Sequence, residues 1–206
     1  MVQKEPGRRG RPRTHDPATA LDAALGLFWQ KGLEGASLDE LATVMNMNRP
    51  SIYLAFGDKD TLYRAAVERF RAHLGVALNE LDDCDDLATG LIRFFHGAIR
   101  LYTSGDDPKG CLIMCTAPAV ALIHPTVRGD LFQIMKAIDA ALLRRIKHAV
   151  DSGRLHGGVA PRTLAMTLQA ILQSLALRSR AGESSASLRR FAKEAVVLCL
   201  PRSRGE

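Results

Sequence analysis

A chain of 206 residues, 47% apolar and 24% charged, is long enough to bury one large core or two small ones. It contains no apolar run near 18 residues, so a membrane-spanning helix is excluded by expectation. The net charge of +6 is unevenly placed, because Lys4, Arg8, Arg9, Arg11 and Arg13 stand against Glu5 alone in the first 14 residues, which suits a leading arm that touches a polyanion.

Ala and Leu are abundant and β-branched runs are rare, so an all-α chain is expected. The basic N-terminus is not followed by an apolar segment, so no secretory signal is expected and the cytoplasm is the expected location. The four cysteines, Cys84, Cys111, Cys115 and Cys199, form no CxxC pair and keep no zinc spacing with histidine, so neither a metal nor a cofactor is expected.

Residues 1–15 are rich in Gly, Pro and Arg and cannot build a core, so they read as a disordered basic arm. The segment Arg8–Arg13, RRGRPR, resembles an AT-hook core, which would lie in a narrow minor groove; a solubilising tail is the alternative. Asp16 then caps a helix with Pro17 in its first position. Leu21, Ala24, Leu25 and Phe28 form its inner stripe, and Gly32 ends it.

Ser37 with Glu40 makes a capping box, and Leu38, Leu41, Ala42 and Met45 recur on one helical face. Asn46 tolerates the left-handed backbone of a sharp turn. Asn48 caps another helix, Pro50 sits in its first turn, and Ile52, Ala55 and Phe56 give it an apolar side. Two short helices around a tight turn form a helix-turn-helix, whose second helix enters the major groove of double-stranded DNA. Arg49 and Ser51 would reach base edges, Ser37 and Asn48 would meet phosphate, and Tyr53 would offer its hydroxyl to the backbone. Lys59 opposes the dipole of the helix that follows, a penalty a phosphate would remove.

The ordered set Phe28, Gly32, Ser37-Leu38, Ser51–Tyr53, Phe56-Gly57-Asp58-Lys59 and Leu62 resembles the DNA-binding region of TetR-family transcriptional regulators. Two positions depart from the family pattern: Asn46 replaces a usual Gly, and Leu54-Ala55 replace a common aromatic or His pair. The resemblance implies a three-helix DNA-binding domain over residues 16–60 that includes Pro50 at the interface. It also implies a helical ligand-binding and dimerisation domain over residues 61–206.

From Asp58 a long helix runs through Leu62, Ala66, Phe70, Leu74 and Leu78. The acidic group Asp82, Asp83, Asp85 and Asp86 reads as a junction that ends this helix and caps the next. Leu87, Leu91, Phe95, Ala98, Ile99 and Tyr102 follow in helical register. Cys111–Ile123 is almost wholly apolar and is expected to be buried on all sides. Val127, Leu131, Ile134, Ile138, Leu142, Ile146 and Ala149 define a further long helix, which Gly153 stops. The last two helices, within residues 161–200, are more apolar than a one-sided surface helix requires. A homodimer through a four-helix interface would bury them, as the resemblance also implies.

No catalytic constellation is present, so a regulator and not an enzyme is expected: a dimeric repressor released from a palindromic operator by a small apolar or aromatic effector. Phe70, Phe95, Ile99, Tyr102, Met114 and Met135 are the candidate ligand-binding residues. The alternative is a redox or electrophile sensor in which Cys111, near Lys109 and at a helix N-terminus, has a lowered thiol pKa; core packing is the other reading of this cysteine.

Overall fold

The computed structural model describes residues 16–105, 109–156 and 158–200. Among these residues the chain is helical without strands: α1 (Pro17–Gly35), α2 (Leu38–Val44), α3 (Arg49–Phe56), α4 (Lys59–Asp82), α5 (Leu87–Tyr102), α6 (Leu112–Val120), α7 (Pro125–Asp151), α8 (Pro161–Arg180) and α9 (Ser185–Cys199). The basic-arm residues Arg8, Arg9, Arg11 and Arg13 lie outside the described residues.

Local chemistry sets most helix starts. The Asp16 carboxylate accepts from the backbone N–H groups of Ala18 and Thr19. Asp58 accepts from Thr61 N at 2.8 Å and opens α4, while Asp86 accepts from Thr89 N at 2.8 Å and opens α5. Asp82 ends α4 and pairs with Arg144. The acidic junction is therefore a capping device, and no group of its side chains among the described residues has the arrangement of a metal site.

The α1 helix is bent at Gly32, whose φ of 71° is left-handed. A Cβ there would sit 3.3 Å from the Thr116 Cβ, so glycine serves both the bend and the approach of α6. The apolar interior is continuous from Phe28 and Leu41 through Phe70 and Phe95 to Leu172 and Val196. Phe28 meets Tyr63 edge-on at 5.2 Å, and Trp29 meets Phe70 edge-on at 4.9 Å, the favoured geometry for ring quadrupoles.

A polar tie crosses this core. The Arg180 guanidinium donates to the carbonyls of Trp29 at 3.1 Å, Gln30 at 2.9 Å and Lys109 at 3.3 Å. The Trp29 indole N–H donates to Gly110 O at 2.9 Å. Arg145, also buried, donates to the carbonyls of Leu81, Cys84 and Asp85 and closes the end of α4.

The expectation that Cys111–Ile123 is buried throughout is corrected at its end. Leu112, Ile113, Thr116, Ala117 and Val120 are buried, but Leu122 and Ile123 are 89% and 70% exposed. The helix stops at Val120, and the turn that leads to Pro125 carries these two side chains outward.

At Gly110 (φ 65°) a Cβ would lie 2.4 Å from the Ala176 carbonyl and 2.8 Å from the Cys115 sulfur. Gly110→Ala combines left-handed strain with a collision in the core, and is expected to cost about 3 kcal/mol or more. Urea unfolding followed through Trp29, the single tryptophan, measures this directly.

Candidate nucleic-acid interface

The α2–α3 unit is built by two caps and a turn. Ser37 Oγ accepts from Glu40 N at 3.2 Å, and Ser37 N donates to the Glu40 carboxylate at 3.1 Å. Glu40 also takes a hydrogen bond from Lys31, which together with the Ser37 contacts pulls its carboxyl down to about 2. Asn46 is the one left-handed residue other than glycine among the described residues, with φ 50°. Asn48 Oδ1 then accepts from Ser51 N at 2.8 Å and starts α3.

Only Ile52 of α3 is fully buried, with Phe56 half-buried beside the core. Arg49, Pro50, Tyr53, Leu54 and Ala55 are exposed and Ser51 is half-exposed. A short helix held by one inner seam, its N-terminal turn pointing out, is the arrangement a recognition helix needs. Ser37 and Asn48, both exposed, sit beside N-terminal helix turns, where anions are favoured.

Two pairings on this face were not legible in the spacing. Arg49 Nε donates to Asp39 Oδ1 at 2.8 Å, and its terminal nitrogen meets the other carboxylate oxygen. The Asp39 hydrogen bond pushes the Arg49 pKa upward. Arg49 therefore remains charged, with its fork already engaged by a neighbour on α2. Lys59 Nζ lies 3.4 Å from the Ala36 carbonyl, which draws the start of α4 towards the α1–α2 junction. Asp39 lies four residues before Thr43, on the outer side of α2, and only the fold brings it to Arg49.

Four of the six candidate ligand-binding residues occupy the packed interior. Phe70, Phe95, Ile99 and Tyr102 are fully buried, with Phe70 against Trp29 and Phe95 against Phe94. Met114 and Met135 are half-buried. None of the six lines either of two described clefts. One, of about 420 Å³, lies between Ile146, Val150, Leu155, Leu164, Leu198 and Cys199. The other, of about 480 Å³, lies between Trp29, His73, Val76, Glu80, Arg100 and Leu101.

Of the two readings of Cys111, core packing fits and the lowered thiol pKa of the sensor alternative is not favoured. Cys111 occupies the N-cap of α6 but is buried, and burial pushes its thiol up to about 12. Lys109 does not compensate: its ammonium sits over the Trp29 ring, 5.5 Å from the centroid. Cys115 is also shifted upward by burial, against the opposing effect of Arg180. Desolvation of the thiolate outweighs the helix dipole here.

The comparisons with known proteins agree with this geometry. The family of bacterial regulatory proteins, tetR family, matches residues 20–66, and the tetracyclin repressor-like C-terminal domain matches residues 89–195. The HTH-type transcriptional repressor ComR of Escherichia coli (strain K12) is 29% identical over 192 residues, which cover 89% of each chain. The repressor BdcR of the same organism is 32% identical over 116 residues, 55% of this chain and 59% of its own. The fold is also similar to a cysteine mutant of the TetR family transcriptional regulator CifR complexed with 26 bp double-strand operator DNA. That likeness has a TM-score of 0.83 and 27% identity, over 93% of this chain and 100% of the other.

A buried thiol with a pKa of about 12 is less than about one part in a thousand thiolate at pH 8. Iodoacetamide is therefore expected to leave Cys111 unmodified in the folded protein and to alkylate it in urea, as read by peptide mass spectrometry. Alkylation in the folded state at the rate of a free thiol would contradict this assignment.

Proposed function

The chain belongs to the tetR family of bacterial regulatory proteins, and we propose that it is a homodimeric repressor that binds a near-palindromic operator and leaves it when a small effector binds. The observation that carries the proposal is α3. It holds one buried residue, Ile52, and presents an exposed Arg49, Pro50 and Tyr53 beside two capped helix starts. The likeness to the operator-bound CifR mutant supports duplex DNA as the partner. Function rests on binding and not on catalysis, and the cytoplasm is the matching location.

In this reading Arg49 exchanges its Asp39 partner for a base edge or phosphate. Ser37, Asn48, Ser51, Tyr53 and Lys59 hold the backbone, and Arg8, Arg9, Arg11 and Arg13 add contacts from the arm. Outside the helix-turn-helix, support for a dimer comes from the outer face of α8. There Met166, Ala170 and Leu177 are exposed in one helical row, and Val197 and Leu198 of α9 are exposed as well. A matching face on a second copy would cover this row.

The effector is proposed to enter between the middle helices of residues 61–150, which carry the half-buried Met114 and Met135 and the buried Phe70, Phe95, Ile99 and Tyr102. An apolar or aromatic molecule would take the place of packing contacts there. It would favour a conformation in which the two recognition helices are wrongly spaced for successive grooves.

Arg49→Ala is expected to weaken binding to the selected operator about tenfold or more while binding to unrelated duplex falls far less. Fluorescence anisotropy at several salt concentrations measures both. Equal loss on both duplexes would make Arg49 a phosphate contact only. Leu177→Glu is expected to convert dimer to monomer in sedimentation velocity.

A further inference from the structure

Leu54 is the most exposed large apolar side chain among the described residues, at 91%. Successive helical residues are about 100° apart, so Leu54 projects about 160° from both inner residues of α3, Ile52 and Phe56. It is thus the outermost point of the helix. Pro50, exposed one turn earlier, shares its side, and the half-exposed Ser51 and the exposed Tyr53 flank that side at about 60° and 100° from Leu54. Packing does not account for a leucine here, because the side chain gains no burial.

The occupant follows from charge and from size. The apolar stripe is two residues long, too small for a protein interface of ordinary area, and it stands on a helix whose first turn carries the exposed Arg49 cation, which suits a polyanion. If α3 enters the major groove, as the proposed function holds, Leu54 leads. The base edges there are polar nitrogen and oxygen groups, apart from one apolar group, the thymine C5-methyl. We propose that Leu54 is a specificity-determining residue that reads a thymine methyl group in each half-site, while Arg49, in the first turn of the same helix, takes a polar contact. This rests on the DNA-binding reading of α3 and deepens it.

The test uses the full chain and two random-sequence duplex libraries, one with thymine and one with deoxyuridine in its place. The duplex enriched by the wild-type chain is then scanned, each thymine replaced in turn by deoxyuridine. Losing one methyl contact should weaken binding about fourfold for a single half-site. The expected result is one symmetry-related thymine pair at which the change weakens wild-type binding by that factor or more. Leu54→Ala should bind the thymine and deoxyuridine forms of that duplex alike, with a thermal melt matching the wild type.

A scan in which no thymine responds would overturn the role of Leu54, and it needs no variant. So would a Leu54→Ala chain that keeps the full deoxyuridine penalty, because the contact would then belong to another residue. Enrichment from neither library would instead remove the DNA-binding reading, and this proposal with it.

Discussion

Arg180 holds the structure to one geometry. Its guanidinium lies at the end of α8, and three backbone carbonyls, those of Trp29, Gln30 and Lys109, converge on it. Two of these belong to α1 just before its bend at Gly32, and the third precedes Gly110, which packs against the Ala176 carbonyl of α8. The Trp29 indole closes the circuit on Gly110. A half-buried cation that bonds three carbonyls at once ties together the segments that carry them. The end of α1, the start of α6 and the end of α8 are therefore set relative to one another.

That constraint places the DNA-facing unit. Beyond the bend, α1 leads through Ala36 into the capping box of α2, and Lys59 reaches back to the Ala36 carbonyl from the start of α4. The α2–α3 pair is short and rests on few buried residues: Leu41, Met45 and Ile52. Its position is inherited from α1 and α4, not generated by its own core. Thr116 of α6 lies close against Gly32, 3.3 Å from where a Cβ would stand, so α6 packs directly on the bend that leads into α2.

Much of this was legible because it depends on local chemistry. Asp16, the Ser37–Glu40 box, Asn46 and Asn48 each act within four residues of their partners, and the structure realises every one. The TetR-family assignment was readable for the same reason, since its marks lie in one continuous stretch. The interior was harder. Periodicity marks Phe70, Phe95, Ile99 and Tyr102 as inward-facing, but the same pattern describes a packed core and a cavity wall, and here the four are packed. Cys111 is open to two readings in the sequence, an activated thiol beside Lys109 or a packed one, and only the fold shows the burial that decides between them. Contacts of long sequence separation, Arg180 to Trp29 and Arg49 to Asp39, leave no periodic trace at all.

The central claim is that two copies of this chain place two α3 helices in successive major grooves of one operator. Hydroxyl-radical footprinting of the full chain on its selected duplex tests this most directly. The account predicts two protected segments related by a dyad, their centres separated by about one helical turn or a multiple of it, about 10 base pairs each. A single protected block without a dyad, or protection that does not depend on sequence, would contradict it.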